Sequence, residues 1–492
     1  MNAKLNHSTS HRLTYAAATL LAVLGLGSCT VINAGLSRHT HKPYRMESPM
    51  VRVTDQEDAK GNEIGRDIAQ LGIVEFDDQG ELWRDNYMHR GDKMPGTSEL
   101  AVVLEALKQR AKKGPVQLVV FVHGWNNNAR DLQKGNLRSF RNVLKSVAKV
   151  HPNPFGVFIS WRGMAMGFPI LFDIYNREAS AVKIGQVQGT ATLQALCATA
   201  RHNQPDSRVI AVGHSLGAVI LLRAVAQPLT AQIVKSSVEK LSEEEMRPMA
   251  DTVVLVNPAD TAGYASQTVQ MMRDYQAKFQ RNGRDAPLLV SFTSKGDWAT
   301  GWLYSGATMI SRYVLGSLMT TSAGATSSKT QENGMVTSVG WHTAIHSHEL
   351  KEAIGVPALP LPQGKQQTES ERMEYLMSQN FKPAQPRQKN LTVWLDPTLK
   401  RGQVSTGPLV AYNLELQPNN QNDTPHWIFR VPKFVVYNHT DVWNSNFVGL
   451  VTAIHNASRD PKPRGTVASP LPRAPKELPP IKMGIMSASP KL

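Results

Sequence analysis

Cysteine is almost absent from this 492-residue chain. The two present, Cys29 and Cys197, allow at most one disulfide, and none if Cys29 is otherwise engaged. Cys197 lies in a helical-looking stretch, Ala191 to Arg201, and reads as a small core residue. Basic runs, and basic residues interleaved with aromatics, are also missing. The formal charge of +15 therefore points to anionic surfaces such as lipid headgroups, and no nucleic-acid partner is expected. No His-Glu-x-x-His sequence occurs, so the usual zinc-protease signature is absent. What the chain does have is 41% hydrophobic residues, enough for a large core. Its length suits one large domain carrying insertions.

The first residues read as a targeting segment. Lys4 and Arg12 form a basic start. Ala16 to Gly27 is apolar but, at 12 residues, too short to span a bilayer as a helix. It ends in Leu26-Gly27-Ser28-Cys29, which resembles a bacterial lipobox. The expectation is cleavage of residues 1–28 as a signal peptide and a lipid thioether on Cys29, leaving the protein membrane-anchored and Cys197 without a partner. Thr30, where a retention signal would place Asp, leans the expected location toward the outer membrane, facing the periplasm. Residues 29–50 read as a tether. At the other end, Asp460 to Leu492 holds eight prolines and reads as a disordered tail, with the boundary set at residue 457.

Between these ends, short apolar runs alternate with helical segments. The runs are Leu118–Val122, Val157–Trp161, Val209–Val212, Val253–Val256, Leu288–Phe292 and Phe434–Tyr437. Their Val, Ile, Leu and Phe content suits strands buried on both faces. Leu100–Lys113, Ala129–Val150, Arg177–His202, Leu216–Gln227 and Tyr264–Phe279 read as helices, and Ile73–Trp83 as a hairpin turning at Asp78-Gln79-Gly80. The fold class is therefore α/β, with a mostly parallel sheet flanked by helices over residues 51–456. Residues 301–426 interrupt the alternation as an insertion before the last strand. Ala307–Met319 suits an amphipathic helix, Pro357–Gln388 a mobile segment, and Val393–Gln417 short strands.

Gly213-His214-Ser215-Leu216-Gly217 lies between a buried run and a helix. The pentapeptide alone is common; its context carries the weight. A strand-to-helix turn between two glycines projects a serine hydroxyl, and the helix N-terminus favours developing negative charge. Acyl transfer also needs donors for the oxyanion. One is expected from the backbone N–H of Leu216. The other is expected from Trp125, in the loop His123-Gly124-Trp125-Asn126-Asn127-Asn128 that follows Leu118–Val122.

Together, His123-Gly124-Trp125-Asn126-Asn127, Ile159-Ser160-Trp161 and the Ser215 elbow resemble the α/β-hydrolase superfamily. They are most similar to its bacterial members with a His-Gly-aromatic-Asn oxyanion loop. The resemblance spans roughly Ile73 to Ile454 without much of the insertion. It implies a catalytic triad in the order Ser, acid, His and leaves the substrate open. For the acid it favours Asp297, in Ser294-Lys295-Gly296-Asp297-Trp298, over the alternative Asp260. For the base it favours His439, in the pattern His439-Thr440-Asp441-Val442-Trp443-Asn444. His342 and His346 are the alternative bases, with His348, Glu349 and a more distant His426 nearby. The four-residue spacing of His342 and His346 also permits a metal pair if they share a helix face.

The expected chemistry is ester hydrolysis through an acyl-serine, with no metal or organic cofactor. A lipid-anchored basic enzyme would meet lipid or other hydrophobic esters, as a lipase, phospholipase or esterase does. Transfer of the acyl group to another acceptor, and a non-catalytic envelope-binding role for the fold, stand as the alternatives. The insertion is a candidate lid. Oligomeric state has no signature in the sequence.

Overall fold

The computed structural model describes residues 48–458, apart from 59, 61, 84–97, 165–169, 240–248, 276–286, 305–336, 361–367, 381–390, 405 and 418–423. The signal segment, Cys29, nearly all of the tether, the proline-rich tail and the expected helix Ala307–Met319 lie outside the described residues.

An eight-stranded sheet organises the chain. Its strands are β1 (Met50–Thr54), β2 (Asp67–Phe76), β3 (Gln117–Val122), β4 (Pro154–Trp161), β5 (Arg208–His214), β6 (Thr252–Val256), β7 (Leu289–Ser294) and β11 (His426–Val431). They lie in the order β1-β2-β4-β3-β5-β6-β7-β11. Only β1 runs antiparallel to its neighbour; the other pairings are parallel. Parallel strands need crossovers, and these are supplied by α1 (Glu99–Ala111), α2 (Gly135–Val150), α3 (Ile170–Ile184), α4 (Thr190–Arg201), α5 (Leu216–Val238) and α6 (Ala262–Tyr275).

Strand periodicity divides the core in two. Along β3, Val119 and Phe121 join one apolar cluster with Phe140 and Leu144 of α2. Leu118, Val120 and Val122 point the other way, into a cluster with Val103 of α1 and Val219 of α5. Alternate residues thus serve opposite faces, and both faces are covered. The single helix expected over Arg177–His202 is instead α3 and α4 joined by a π turn, Gly185–Gly189. The turn lets α3 approach α5: a Cβ on Gly185 would stand 2.5 Å from the Ile220 carbonyl oxygen.

Two expectations are corrected in the second half. The last strand of the sheet is His426–Val431, not Phe434–Tyr437. After Pro432 the chain turns, with Val435 N–H donating to the Pro432 carbonyl at 3.0 Å. Val435 and Val436 are buried by that turn rather than by pairing. The segment expected to be mobile, Pro357–Gln388, contains a packed helix, α7 (Glu369–Asn380), with Met373, Leu376 and Met377 buried. It belongs to a subassembly made by the insertion. There β8 (His348–Glu352), β9 (Leu391–Leu395) and β10 (Val410–Leu416) form an antiparallel sheet in the order β8-β10-β9. Ser347 ties it to the main sheet's edge, its N–H donating to the Ile428 carbonyl at 2.8 Å and its hydroxyl accepting from Ile428 N–H at 2.8 Å. The edge strand is thereby covered. Helix α8 (Ser445–Ala457) closes the described fold.

Candidate active site

Ser215 sits at the turn from β5 to α5 with φ 56° and ψ −121°, a conformation few non-glycine residues adopt. Neighbouring backbone leaves no alternative to glycine on either side. A Cβ on Gly213 would lie 2.6 Å from the Gly217 carbonyl oxygen, and one on Gly217 would lie 2.2 Å from that of Val122. Main-chain bonds hold the strained residue, Ser215 N–H donating to the Val256 carbonyl at 3.0 Å.

Two loops from the same end of the sheet meet this serine. The one after β11 brings His439, whose Nε2 lies 2.8 Å from Ser215 Oγ. The one after β7 brings Asp297, whose carboxylate oxygens lie 3.0 and 3.1 Å from His439 Nδ1. The partners fix the tautomer: Nδ1–H donates to the carboxylate, which leaves Nε2 to accept from the serine hydroxyl. Asp297 is fully buried. Burial pushes its carboxyl up, but the charge and hydrogen bond of His439 and two bonds from Thr300 push harder, so its pKa is lowered. The Thr300 hydroxyl donates at 2.6 Å and its N–H at 3.1 Å. Thr300 had no signal in the sequence beyond standing three residues after an aspartate.

The third loop follows β3. Gly124 packs directly under the serine: a Cβ there would lie 2.7 Å from Ser215 Cβ. Trp125 is held at both ends. Its indole N–H donates to buried Asp173 at 2.7 Å, and its carbonyl accepts from the Asn127 amide at 3.0 Å. Among the described residues, the N–H groups of Trp125 and Leu216 take no main-chain acceptor. For Leu216 this is the ordinary state of a first-turn helix amide. His123 serves the loop's shape. It is fully buried, its Nδ1 bonds the Gly124 carbonyl at 2.8 Å, and its Nε2 accepts from Trp161 N–H at 3.2 Å. Burial pushes its pKa down to about 4. Nothing in the local spacing of Asp173, supplied by α3, links it in sequence to position 125.

The competing residues are occupied elsewhere. Asp260 bonds the Arg223 guanidinium at 3.0 Å, and Arg223 in turn covers the Tyr264 ring. His342 and His346 do not share a helix; each borders a short 3-10 turn. His346 Nε2 bonds the Gly340 carbonyl at 3.2 Å. Neither bonds Ser215 or a carboxylate among the described residues. His348 lies against the Trp427 ring, and His426 bonds Ser291 at 2.8 Å. No group of three or more His, Cys, Asp or Glu arranged for a metal occurs among the described residues.

A family model described as the alpha/beta hydrolase family matches residues 119–335, which include Ser215 and Asp297 but end before His439. No curated protein matches the chain. Among solved structures, an acetylxylan esterase aligns at 14% identity over 38% of this chain and 73% of its own, with a TM-score of 0.20. A Trichoderma reesei cutinase in complex with a phosphonate inhibitor aligns at 12% identity over 32% of this chain and 64% of its own, with a TM-score of 0.17. The parallel sheet delivers a strained serine between β5 and α5, and the match to the alpha/beta hydrolase family over residues 119–335 runs through that elbow: the fold is that of an α/β-hydrolase domain.

Proposed function

We propose that the protein is a serine hydrolase that cleaves carboxylic esters through an acyl-enzyme. One observation carries the reading: Ser215 Oγ, the His439 ring and the Asp297 carboxylate form a continuous hydrogen-bonded chain at 2.8 and 3.0 Å. A serine hydroxyl is a poor nucleophile until a base removes its proton. In this scheme His439 takes that proton as Ser215 attacks the ester carbonyl, and Asp297 stabilises the resulting imidazolium. The Leu216 and Trp125 amides receive the oxyanion. His439 then protonates the leaving alcohol, and later activates the water that releases the acid. Each step uses side chains and amides of this chain.

The envelope location belongs to the same proposal. Acylation at Cys29 would hold the enzyme on a membrane surface, where a basic protein meets anionic lipid. Lipid or other hydrophobic esters are the substrate class that fits such a placement.

Labelling with a fluorophosphonate probe tests both parts. The wild type should react and Ser215→Ala should not. Asp297→Asn should slow reaction by about 10⁴-fold, the loss seen when the same change disrupts a well-studied triad, while Asp260→Asn should act chiefly on stability. Equal mild losses in the two aspartate variants would remove Asp297 from its role. Cys29→Ala should move the labelled protein from membranes to the soluble fraction. A wild type that stays unlabelled beside a reactive control hydrolase would return the fold to a binding role.

A further inference from the structure

His439 stands on a loop without regular secondary structure, yet the proposed chemistry needs its ring placed to a few tenths of an ångström. Two side chains outside the Ser-His-Asp set hold the main chain beneath it. The first is Asn257, at the end of β6. It is fully buried, with φ 45°, a left-handed conformation that Asn tolerates better than most residues. Its Oδ1 accepts from Ser294 N–H at 2.9 Å, at the end of the strand leading to Asp297. Its Nδ2 donates to the carbonyls of Asn438 and His439, both at 3.1 Å. A single amide therefore bridges the loop bearing the acid and the loop bearing the base.

The second is His214, next to the nucleophile. Its Nε2–H donates to the same His439 carbonyl at 2.6 Å. That carbonyl cannot donate, so it dictates the Nε2–H tautomer. Nδ1 has no hydrogen-bond partner among the described residues. His214 is buried, and its pKa is pushed down to about 3, first by burial and next by the charge of His439. It thus remains a neutral donor when His439 takes up a proton 5.2 Å away, ring centre to ring centre.

We propose that Asn257 and His214 are positioning residues that set the register of His439, Asn257 against Asp297 and His214 against Ser215. Neither touches the reacting atoms; both act through the His439 main chain. This rests on the hydrolase reading above, and the test separates the two.

Four variants carry the test, each checked for native circular dichroism and thermal midpoint before kinetics. Asn257→Gly accepts the positive φ and removes only the amide. Asn257→Asp keeps the acceptor for Ser294 but faces the two carbonyls with an oxygen. His214→Phe keeps a ring and loses the donor, while His214→Gln places an amide donor near the position of Nε2. The readouts are kcat and KM on a chromogenic short-chain ester and the rate of fluorophosphonate labelling. Folded Asn257→Gly, Asn257→Asp and His214→Phe should lose about 100-fold in kcat and in labelling rate, the cost of a misplacement near 1 Å, with KM little changed. His214→Gln should recover most of the loss. The proposal is overturned if folded Asn257→Gly or His214→Phe labels at the wild-type rate, or if the loss falls on KM alone. Should both Asn257 variants fail to fold, the His214 pair decides by the presence or absence of rescue. A wild type unreactive at Ser215 would instead overturn the hydrolase reading on which this one stands.

Discussion

A methyl group at position 124 would sit 2.7 Å from Ser215 Cβ and 2.8 Å from the His214 carbonyl oxygen. Both neighbours belong to the elbow, and the Ser215 backbone is already strained. They cannot yield without moving the Ser215 hydroxyl. Gly124→Ala should therefore displace the loop after β3, and with it the Trp125 amide proposed to receive the oxyanion. Loss of one oxyanion donor costs about 10²–10³-fold in turnover, so labelling of folded Gly124→Ala should slow by that order. Near-wild-type labelling would show that the loop does not supply a donor. At this scale the sequence was informative where function concentrates in short motifs. Gly124, Trp125, Ser215 and Leu216 lie in two such motifs, and Asp297 follows the strand run Leu288–Phe292, whereas the run before His439, Phe434–Tyr437, is a turn beyond the last strand. Asn257 and Asp173 act through side-chain bonds whose reach depends on how strands and helices are ordered laterally, while Thr300 bonds Asp297 within its own turn. Local spacing holds no trace of that order.

Elements were legible wherever burial on both faces made them uniformly apolar. Strands β3 to β6 fall on expected runs, extended by one to three residues where Gln117, Pro154, Arg208 and Thr252 break the apolar pattern, while β7 starts one residue later than expected and runs two further, to Ser294. Legibility failed where polar residues are buried. In β11, His426 finds Ser291 and Arg430 covers the Trp341 ring, so a central feature of the sheet edge looks half polar. Helix α7 presents only a narrow apolar stripe, Met373, Leu376 and Met377, amid Gln, Pro and charge. It is fixed by Arg372, fully buried, which donates to the Gly407 carbonyl at 2.6 Å and pairs with equally buried Asp396 at 3.5 Å. Removing one partner of a buried pair strands the other and costs about 3–5 kcal/mol. Arg372→Met should lower the free energy of urea unfolding by about that amount, because buried Asp396 then keeps only its bonds from Thr398 and Gly407 and loses the guanidinium. A loss below about 1 kcal/mol would mean that the insertion is held by its apolar stripe alone. The Glu369 carboxylate of α7 also accepts from Ser445 N–H at 2.9 Å, at the start of α8. The insertion is thereby joined to the segment that follows the His439 loop.

Taken as a whole, the molecule buries several histidines without charging them. Desolvation is the first cause in each case. It pushes His123 and His346 down to about 4, and His214, His348 and His426 down to about 3, from an ordinary 6.5. In the unfolded chain these rings protonate as pH falls through 6.5; in the fold they stay neutral until far lower. Between those limits the unfolded state binds more protons, so stability must fall as pH falls. Above 6.5 neither state is protonated and the effect vanishes. Each such ring contributes a slope of about 1.4 kcal/mol per pH unit. A typical domain holds only about 5–15 kcal/mol in total, so a few of these rings suffice to unfold it in mild acid. Asp297 acts in the same direction but later: its lowered pKa adds a loss only below the ordinary carboxylate range near 4. The expected outcome is a flat thermal midpoint from pH 7 to 8.5, then a steep decline beginning near pH 6.5. The free energy of urea unfolding between pH 6 and 5 should fall with a slope of two protons or more. His426→Leu should flatten that slope by about one proton, since among the described residues its ring bonds only Ser291, and it stands at the opposite end of the parallel sheet from the Ser215 loop. A free energy that stays level down to pH 4.5 would mean that these imidazoles reach water or an acid in solution, and their neutrality would have to be abandoned together with the fixed donor assigned to His214.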